Sequence, residues 1–452
     1  MSNYQDVVIV GAGITGLVTA YQLTKQNIRL TILEQNTRVG GVINSSRVNG
    51  YLLEYGPNSF QESDEVNQLI SELNLNAELV TANPKMPRYV YLNGKLQAVP
   101  LSPPALISSK LLSLSGKLRI LAEPIISKPK EAKEESIASF VKRRLGPQVH
   151  DRLVAPFVSG IYAGNTEELS LAASFPTLAT LENNYGSLLI GAIKTARNNK
   201  ASGKKPIAKR LCSFADGLAT LPQTLANYLK DSLKTSCEIL SINVNKGAYI
   251  VKYKQNNVVT EIISKCVVLA TPAYISAKWL SNIPVLANEL LAIKYAPIAV
   301  VHLSLPLEID LNGFGFLVPR NQGIRLLGSI WNSSLFPNRS PNKEILLTNF
   351  IGGSHDEKAI KLTDKELGQI VSQEIKSILN LKNTPKIINV YKYQKAIPQY
   401  TLGHLTRLST IESELNSKPG LYLASNYLQG VSLGDCVSRA IKLAIAIKNF
   451  LT

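Results

Sequence analysis

The residues of this chain best placed to do chemistry are three glycines. Gly11, Gly13 and Gly16 stand in G-x-G-x-x-G spacing directly after the apolar run Val7 to Val10, which reads as a strand buried on both faces. In that setting the triplet makes a nucleotide-binding turn. Gly11 permits the tight bend, Gly13 lets the backbone around Ala12, Ile14 and Thr15 approach a pyrophosphate, and Gly16 lets the next helix lie against the strand. The N-terminus of that helix then faces phosphate charge. Glycine turns of this spacing also arise for packing alone, so the neighbouring residues have to carry the assignment.

After the turn, Leu17, Ala20 and Leu23 fall on one helical face, and a second strand, Leu30 to Leu33, ends in Glu34 and Gln35. An acidic residue about 20 positions past the glycines is where a dinucleotide ribose is gripped; an ordinary exposed carboxylate is the plainer alternative. Arg38, Gly40, Gly41 and Val42 follow, and then Glu54-Tyr55-Gly56-Pro57-Asn58-Ser59, a second set of turn formers that passes backbone close to a bound cofactor. Nicotinamide enzymes lack these additions. An arginine with paired glycines just past the ribose carboxylate resembles the extended fingerprint of FAD-binding, amine-oxidase-like flavoproteins. Near the C-terminus the strand Leu421 to Asn426 and the turn Gly430 to Cys436 open a last helix. The backbone of Val431, Ser432 and Leu433 is thus a second place to face a negative centre, here the edge of a reduced isoalloxazine. Cys436 reads as a packing residue, not a nucleophile.

The elements that position these residues require length, and 452 residues allow two interleaved lobes. Apolar residues make up 45% and charged residues 18%, the balance of a globular chain. With 49 Lys and Arg against 32 Asp and Glu, the net charge of +17 favours acidic lipid or a carboxylated substrate. Nucleic acid is not a partner, because no helix-turn-helix, zinc-finger or RNA-binding signature accompanies the charge. Cys212, Cys237, Cys266 and Cys436 form no C-x-x-C pair, and the four histidines are scattered, which argues against a metal cluster and a disulfide framework. The first strand starts too near Met1 to leave room for a leader, and no apolar run approaches the roughly 20 residues of a membrane span. These features fit a cytoplasmic protein, peripheral on the inner face of a membrane.

Along the chain, residues 66–75 read as a helix and 87–100 as a hairpin turning at Asn93-Gly94, with Arg88 at its entry as either an anion partner or a solvated side chain. Residues 101–128 are short, Pro-broken, apolar segments with interspersed Lys and Arg, suited either to a membrane interface or to core-facing helices. The loop 128–135 is charged, and 197–210 has linker composition. Helices read over 137–145 and 149–157, and Gly160 and Gly164 flank an aromatic as if packed on something flat. Residues 214–218 open a helix. Strands over 239–244, 249–253 and 265–272 return the chain to the nucleotide lobe, and 296–393 reads as alternating strands at 299–303, 315–318, 325–331, 345–351 and 387–393. The fold class expected is α/β: a discontinuous Rossmann-like FAD-binding domain (1–86, 206–272 and 397–452), a helical membrane-associating insertion (87–205), and an α+β substrate domain with a mostly antiparallel sheet (273–396).

Seven segments resemble one family: G-P-N-S-F at 56–60, P-R-Y-V at 87–90, S-G-I-Y-A-G at 159–164, G-F-G-F-L-V-P at 313–319, S-S-L-F-P-N-R at 333–339, I-P-Q-Y at 397–400 and G-V-S-L-G-D-C at 430–436. Nearly end to end the chain is similar to the oxygen-dependent, FAD-containing protoporphyrinogen oxidases of the cyanobacterial and chloroplast branch. That resemblance implies a six-electron oxidation of a tetrapyrrole in three two-electron steps, with O2 as acceptor, three H2O2 formed and no side-chain base. It implies that Arg88 pairs with a propionate, that the Gly160 carbonyl meets pyrrole nitrogens, that Leu317 and Ile330 sandwich one ring, and that Phe350 stacks on another. It assigns Asn58, Ile239, Asn426 and the turn Val431 to Leu433 to FAD. Ile330 and Ser425 depart from the residues common in relatives, leucine and glycine, without removing a charge. A homodimer and hand-off to a chelatase are compatible partners. The rival readings are coproporphyrinogen oxidation, another amine-oxidase-fold enzyme acting on a polyamine or carotenoid, and a non-catalytic flavoprotein docked on membranes.

Overall fold

Strands from distant stretches of the chain meet in one sheet, because short runs of β-branched residues can bury both faces only between layers of helices. The computed structural model describes residues 4–100, 102–128, 133–202, 210–245 and 247–452. Much of the expected charged loop (128–135) and linker (197–210) therefore lies outside the described residues; 197–201 belongs to the helix Leu188–Ala201. The first sheet has seven strands, in the order Leu233–Lys234, Leu30–Leu33, Tyr4–Val10, Val258–Leu269, Ala248–Gln255 and Glu238–Asn245, with Leu421–Leu423 also paired to Val258–Leu269. Tyr4–Val10 runs parallel to both neighbours, whereas Ala248–Gln255 is antiparallel to its own. Val7 and Ile9 pack with the helices Ile14–Thr24 and Leu433–Leu451, and Val8 and Val10 with Ala273–Trp279 and Pro284–Leu291. Each such side chain, taken fully out of water, is worth about 1.5–3 kcal/mol.

The second sheet is largely antiparallel. Its seven strands run Lys386–Pro398, Tyr295–Pro306, Glu344–Gly352, Leu326–Trp331, Gly315–Leu317, Tyr89–Leu92 and Lys95–Ala98, and only Gly315–Leu317 with Tyr89–Leu92 is a parallel pair. One face is covered by the helix Asp364–Ile378, whose Leu367, Val371 and Ile375 pack on Val301, Leu303, Leu347 and Ile351. This helix interrupts the region read as alternating strands. Its start is marked by the Thr363–Glu366 capping box. A second difference lies at 214–218, where Phe214 closes the strand Leu211–Phe214 and the helix begins only at Thr220.

Residues 102–201 are mostly helical. Arg144 is fully buried and paired with Glu123 and Glu182, and Glu123 in turn accepts from the amides of Leu188 and Leu189 at 2.9 and 3.2 Å. Its carboxylate thus caps the helix Leu188–Ala201 while neutralising a buried cation, so removing either partner would strand a charge at a cost of about 3–5 kcal/mol. Among the described residues, no helix is long and apolar enough to cross a membrane.

Candidate active site

The glycine turn is built as its spacing demands, with one position left open. Gly11 has φ +104, and a Cβ there would sit 2.8 Å from the Ala270 carbonyl oxygen; a Cβ on Gly16 would fall on the Gly11 carbonyl. Those two positions are fixed by packing. A Cβ on Gly13 would meet nothing within 4 Å, and Gly13 caps the helix Ile14–Thr24 without any side-chain hydrogen bond. The first-turn N–H groups of Ile14 and Thr15 therefore border open space, the arrangement an anion needs. Because Leu421–Leu423 is parallel to its neighbour, the helix Leu433–Leu451 starts at the same sheet edge. There the Ser432 amide is taken up by Asp435 in a capping box, donating at 3.1 Å, and the turn from Val431 to Leu433 bends around it.

Glu34 is not an exposed carboxylate. It is buried, with Oε2 accepting from the Ala12 amide at 2.8 Å and Oε1 from the Asn36 amide at 2.8 Å. It clasps the glycine turn to the end of its own strand, and the remaining lone pairs of the carboxylate can still accept from ribose hydroxyls. Ile239 lies near it, since the Cys237 amide donates to the Glu34 carbonyl at 2.8 Å. Gln35 and Arg38 are exposed beside the strand end. The Gly40 amide donates to the Ala12 carbonyl at 2.8 Å, and a Cβ on Gly41 would lie 3.4 Å from Gly13 Cα. A Cβ on Gly56 would fall on the Val42 carbonyl, which brings Gly56, Pro57, Asn58 and Ser59 over the same turn. Asn426 is half-buried, and its carbonyl accepts from the Tyr400 hydroxyl. The residues present fit a dinucleotide with a second group lying toward the other sheet.

On that second sheet, the face turned away from the helix Asp364–Ile378 carries the residues expected to meet substrate. Leu317 pairs with Gly328, Gly328 with Phe350, Phe350 with Val300 and Val300 with Tyr391, one transverse row across five strands. The next row runs Gly315, Ile330, Thr348, His302, Asn389. Leu317, Ile330 and Phe350 are each half-exposed, while both sequence neighbours of each are buried. Their alternation with sealed residues is what a cavity wall requires. Gly160, on the helix Ala155–Tyr162, is exposed, and a Cβ there would lie 2.8 Å from Leu317 Cδ2, so glycine keeps this helix close to the wall. Arg88 precedes the neighbouring strand, exposed, with its guanidinium 5.4 Å from the Phe314 ring. It forms no ion pair among the described residues.

The structure adds residues that sequence reasoning passes over. Thr348 Oγ donates to Asn332 Oδ1 at 2.7 Å, Asn332 Nδ2 donates to Asn58 Oδ1 at 2.7 Å, and Asn58 Nδ2 donates to the Gly56 carbonyl at 3.2 Å. This buried chain ties the row beside Ile330 to the loop over the glycine turn. His302 Nε2 donates to the Glu54 carbonyl at 3.0 Å, and Tyr55 packs edge-on against His302 and Tyr391. Burial holds the His302 pKa down at about 4, so the ring is neutral with its proton on Nε2. Burial also raises Glu54 to about 7, against the lowering effect of hydrogen bonds from Ser45 and the Leu218 amide and of the Arg339 charge. Tyr393, on the same face, packs with Phe350, and its hydroxyl has no partner among the described residues. Its only sequence signal is a two-residue spacing from Tyr391. A separate cleft of about 790 Å³, lined by Gln5, Arg29, Thr31, Tyr253 and Thr260, lies at the other end of the first sheet and has no part in this site.

Residues 14–447 match the family described as flavin containing amine oxidoreductase. The chain is similar to the chloroplastic protoporphyrinogen oxidase of Nicotiana tabacum, 36% identical over 471 residues that cover 99% of this chain and 86% of that protein. It is also similar to the coproporphyrinogen III oxidase of Bacillus subtilis (strain 168), 30% identical over 463 residues and 96% of each. Its fold is that of a crystal structure from Exiguobacterium sp. 255-15, with a TM-score of 0.83 at 24% identity over 98% of this chain and 99% of that one.

Proposed function

The chain belongs to the flavin-containing amine oxidoreductase family, and from that premise we propose that it oxidises protoporphyrinogen IX to protoporphyrin IX with FAD bound and O2 as final acceptor. Bound FAD supplies the hydride acceptor for each of the three two-electron steps. The chain's own residues bind, orient and exclude water. The observation that carries the reading is the set of half-exposed apolar side chains Leu317, Ile330 and Phe350 on two adjacent rows of the face toward the cofactor loop, with Arg88 at its edge. A large apolar macrocycle with few charged arms suits such a wall.

In this reading Leu317 and Ile330 take one pyrrole ring between them, Phe350 stacks on another, the Gly160 carbonyl accepts from pyrrole N–H, and Arg88 pairs with one propionate. Gly11 to Gly16, Glu34, Gln35, Arg38, Gly40 to Val42, Gly56 to Ser59, Ile239, Asn426 and Val431 to Leu433 hold FAD. Residues 1–86, 206–272 and 397–452 then act as the flavin unit, 273–396 as the substrate wall and 87–205 as the helical insertion. No titratable side chain is needed as base, since pyrrole tautomerisation can release the proton.

The test is steady-state oxidation of protoporphyrinogen IX and coproporphyrinogen III by the flavin-loaded protein. Faster turnover of the dicarboxylate is expected; equal or better turnover of the tetracarboxylate would transfer the assignment to the rival substrate. The insertion has its own reading as a peripheral membrane contact. Leu114, Leu118, Leu121 and Ile125 are exposed at helical spacing, with Ile193 and Phe157 exposed on nearby helices. Anionic liposomes should retain the protein at low salt, and retention unaffected by L118S/L121S/I125S would remove this part.

A further inference from the structure

Beside the helix that carries Gly160 is a second cavity, of about 390 Å³, within the range of small-ligand sites. One wall comes from the start of that helix, where His150–Val154 forms a π-helical turn running into Ala155–Tyr162. Such widened turns are frequent at functional sites, and this one delivers His150, Asp151 and Arg152 to the cavity. The opposite wall is Pro319 to Gln322, just after the strand that carries Leu317. Buried His150 and Thr166 sit at the base, joined at 2.9 Å.

The charges here do not balance. Lys142, Arg152 and Arg320 line it against two carboxylates, Glu167, paired with Lys142 at 2.6 Å, and Asp151, which accepts from the His150 ring at 2.6 Å, an excess of one positive charge. Asp356, whose charge acts on Arg320, is held by Arg325 through bonds of 2.8 and 3.1 Å. Arg152 donates to the Leu111 carbonyl at 2.9 Å and Arg320 to the Ser159 hydroxyl at 3.1 Å, and neither has a carboxylate partner among the described residues. Arg320 is half-buried, and burial lowers its pKa, with the Asp356 charge acting the other way. Two guanidinium groups lining one cavity over neutral donors make a fork for a planar, doubly bonded anion.

From this we infer that the cavity between Arg152 and Arg320 is a carboxylate-binding site separate from the substrate wall. It is reached from the other end of the strand Tyr89–Leu92, since Arg88 precedes that strand and Leu92 lines the cavity, about 13 Å away along an extended chain. The carboxylate can come from an arm of a tetrapyrrole outside the chamber, a source that rests on the function proposed above, or from a free polycarboxylate, which does not.

Flavin-loaded wild type, R152L/R320L and R88L are titrated with citrate by calorimetry, and with protoporphyrin IX and its dimethyl ester by porphyrin fluorescence. The double substitution should weaken citrate or the diacid at least tenfold and leave the ester unchanged, while R88L leaves citrate unchanged. Loss confined to citrate identifies a free carboxylate as the source, and loss confined to the diacid identifies the tetrapyrrole arm. Equal binding of all three ligands to wild type and R152L/R320L overturns the site. If the double variant does not fold, hydrogen exchange on the wild type decides: citrate should protect amides at 150–154 and 320–322, and unchanged exchange there overturns it. A wild type that fails to oxidise porphyrinogen would count against the proposed function and leave the citrate result standing.

Discussion

The two faces of the second sheet are made by the same strands yet are built to opposite ends. Toward the helix Asp364–Ile378, Val301, Leu303, Leu347 and Ile351 are fully buried against Leu367, Val371 and Ile375. Toward the glycine turn, the alternate residues of those strands are half-exposed Phe350 beside buried Val300 in one row, and buried Thr348 and His302 in the next, where Asn389 of the neighbouring strand joins them. One face is sealed core, and the other, in the function proposed, meets the ligand and carries hydrogen bonds that tie it to the loop over the glycine turn. The sharpest way to break this contrast is Leu347→Ala. A cavity among close-packed neighbours should cost about 2–5 kcal/mol in denaturant unfolding while flavin content per folded molecule stays at wild-type level.

The cofactor-facing side also carries a pH signature. Glu54 has a folded pKa raised from 4.5 to about 7, so the folded state holds a proton that the unfolded state has already lost, and stability falls as pH rises across that interval. His302 runs the other way: its folded pKa is lowered from 6.5 to about 4, so stability falls as pH drops across that range. Glu54→Gln removes the first dependence and keeps an acceptor for the Leu218 amide. The variant should gain on wild type by about 2–3 kcal/mol between pH 4.5 and pH 7.5, then stay level. Parallel stability curves for the two proteins would refute the assignment. Next in size is Thr348→Val, which preserves shape but leaves Asn332 Oδ1 buried without its donor, a loss of about 1–3 kcal/mol. If the chain through Asn332 to Asn58 positions the flavin loop, FAD affinity and the flavin absorbance band should change as well; Thr348→Ser should restore both.

Much of the first sheet was legible because its signals are local. Buried β-branched runs, a glycine triplet and an acid at the end of the next strand are read within some thirty residues of one another. The substrate strands were legible one at a time, but their shared rows were not. The pairing of Leu317, Gly328 and Phe350 depends on a register shift between Leu326 and Gly328, and a slip by one residue reverses which face each side chain meets. Asn58 and Asn332 meet across a sequence separation of 274, which no periodicity encodes. Glu34 shows a subtler limit: its place at the strand tip is readable, but its burial and its hold on the Ala12 amide follow from how the turn folds back. The helix Asp364–Ile378 is different, since Thr363, Glu366 and the spacing of Leu367, Val371 and Ile375 announce it locally. Reading the whole interval as strands is what hid it.

The smallest effect on stability should come from Phe350→Ala, and that is what makes it informative beside Leu347→Ala. The two residues lie three apart on one strand, Leu347 sealed beneath the helix and Phe350 half-exposed on the opposite face. Truncating Phe350 removes a larger side chain, so size alone would predict the greater loss. Because part of that ring already faces open space, the expected cost in unfolding is below about 1.5 kcal/mol. Binding should show what folding does not: loss of a stacking surface worth about 1.4 kcal/mol raises KM for porphyrinogen about tenfold with kcat little changed. If Phe350→Ala instead destabilises the protein as much as Leu347→Ala and leaves KM alone, the face toward the glycine turn is core, and the cavity wall must be sought elsewhere.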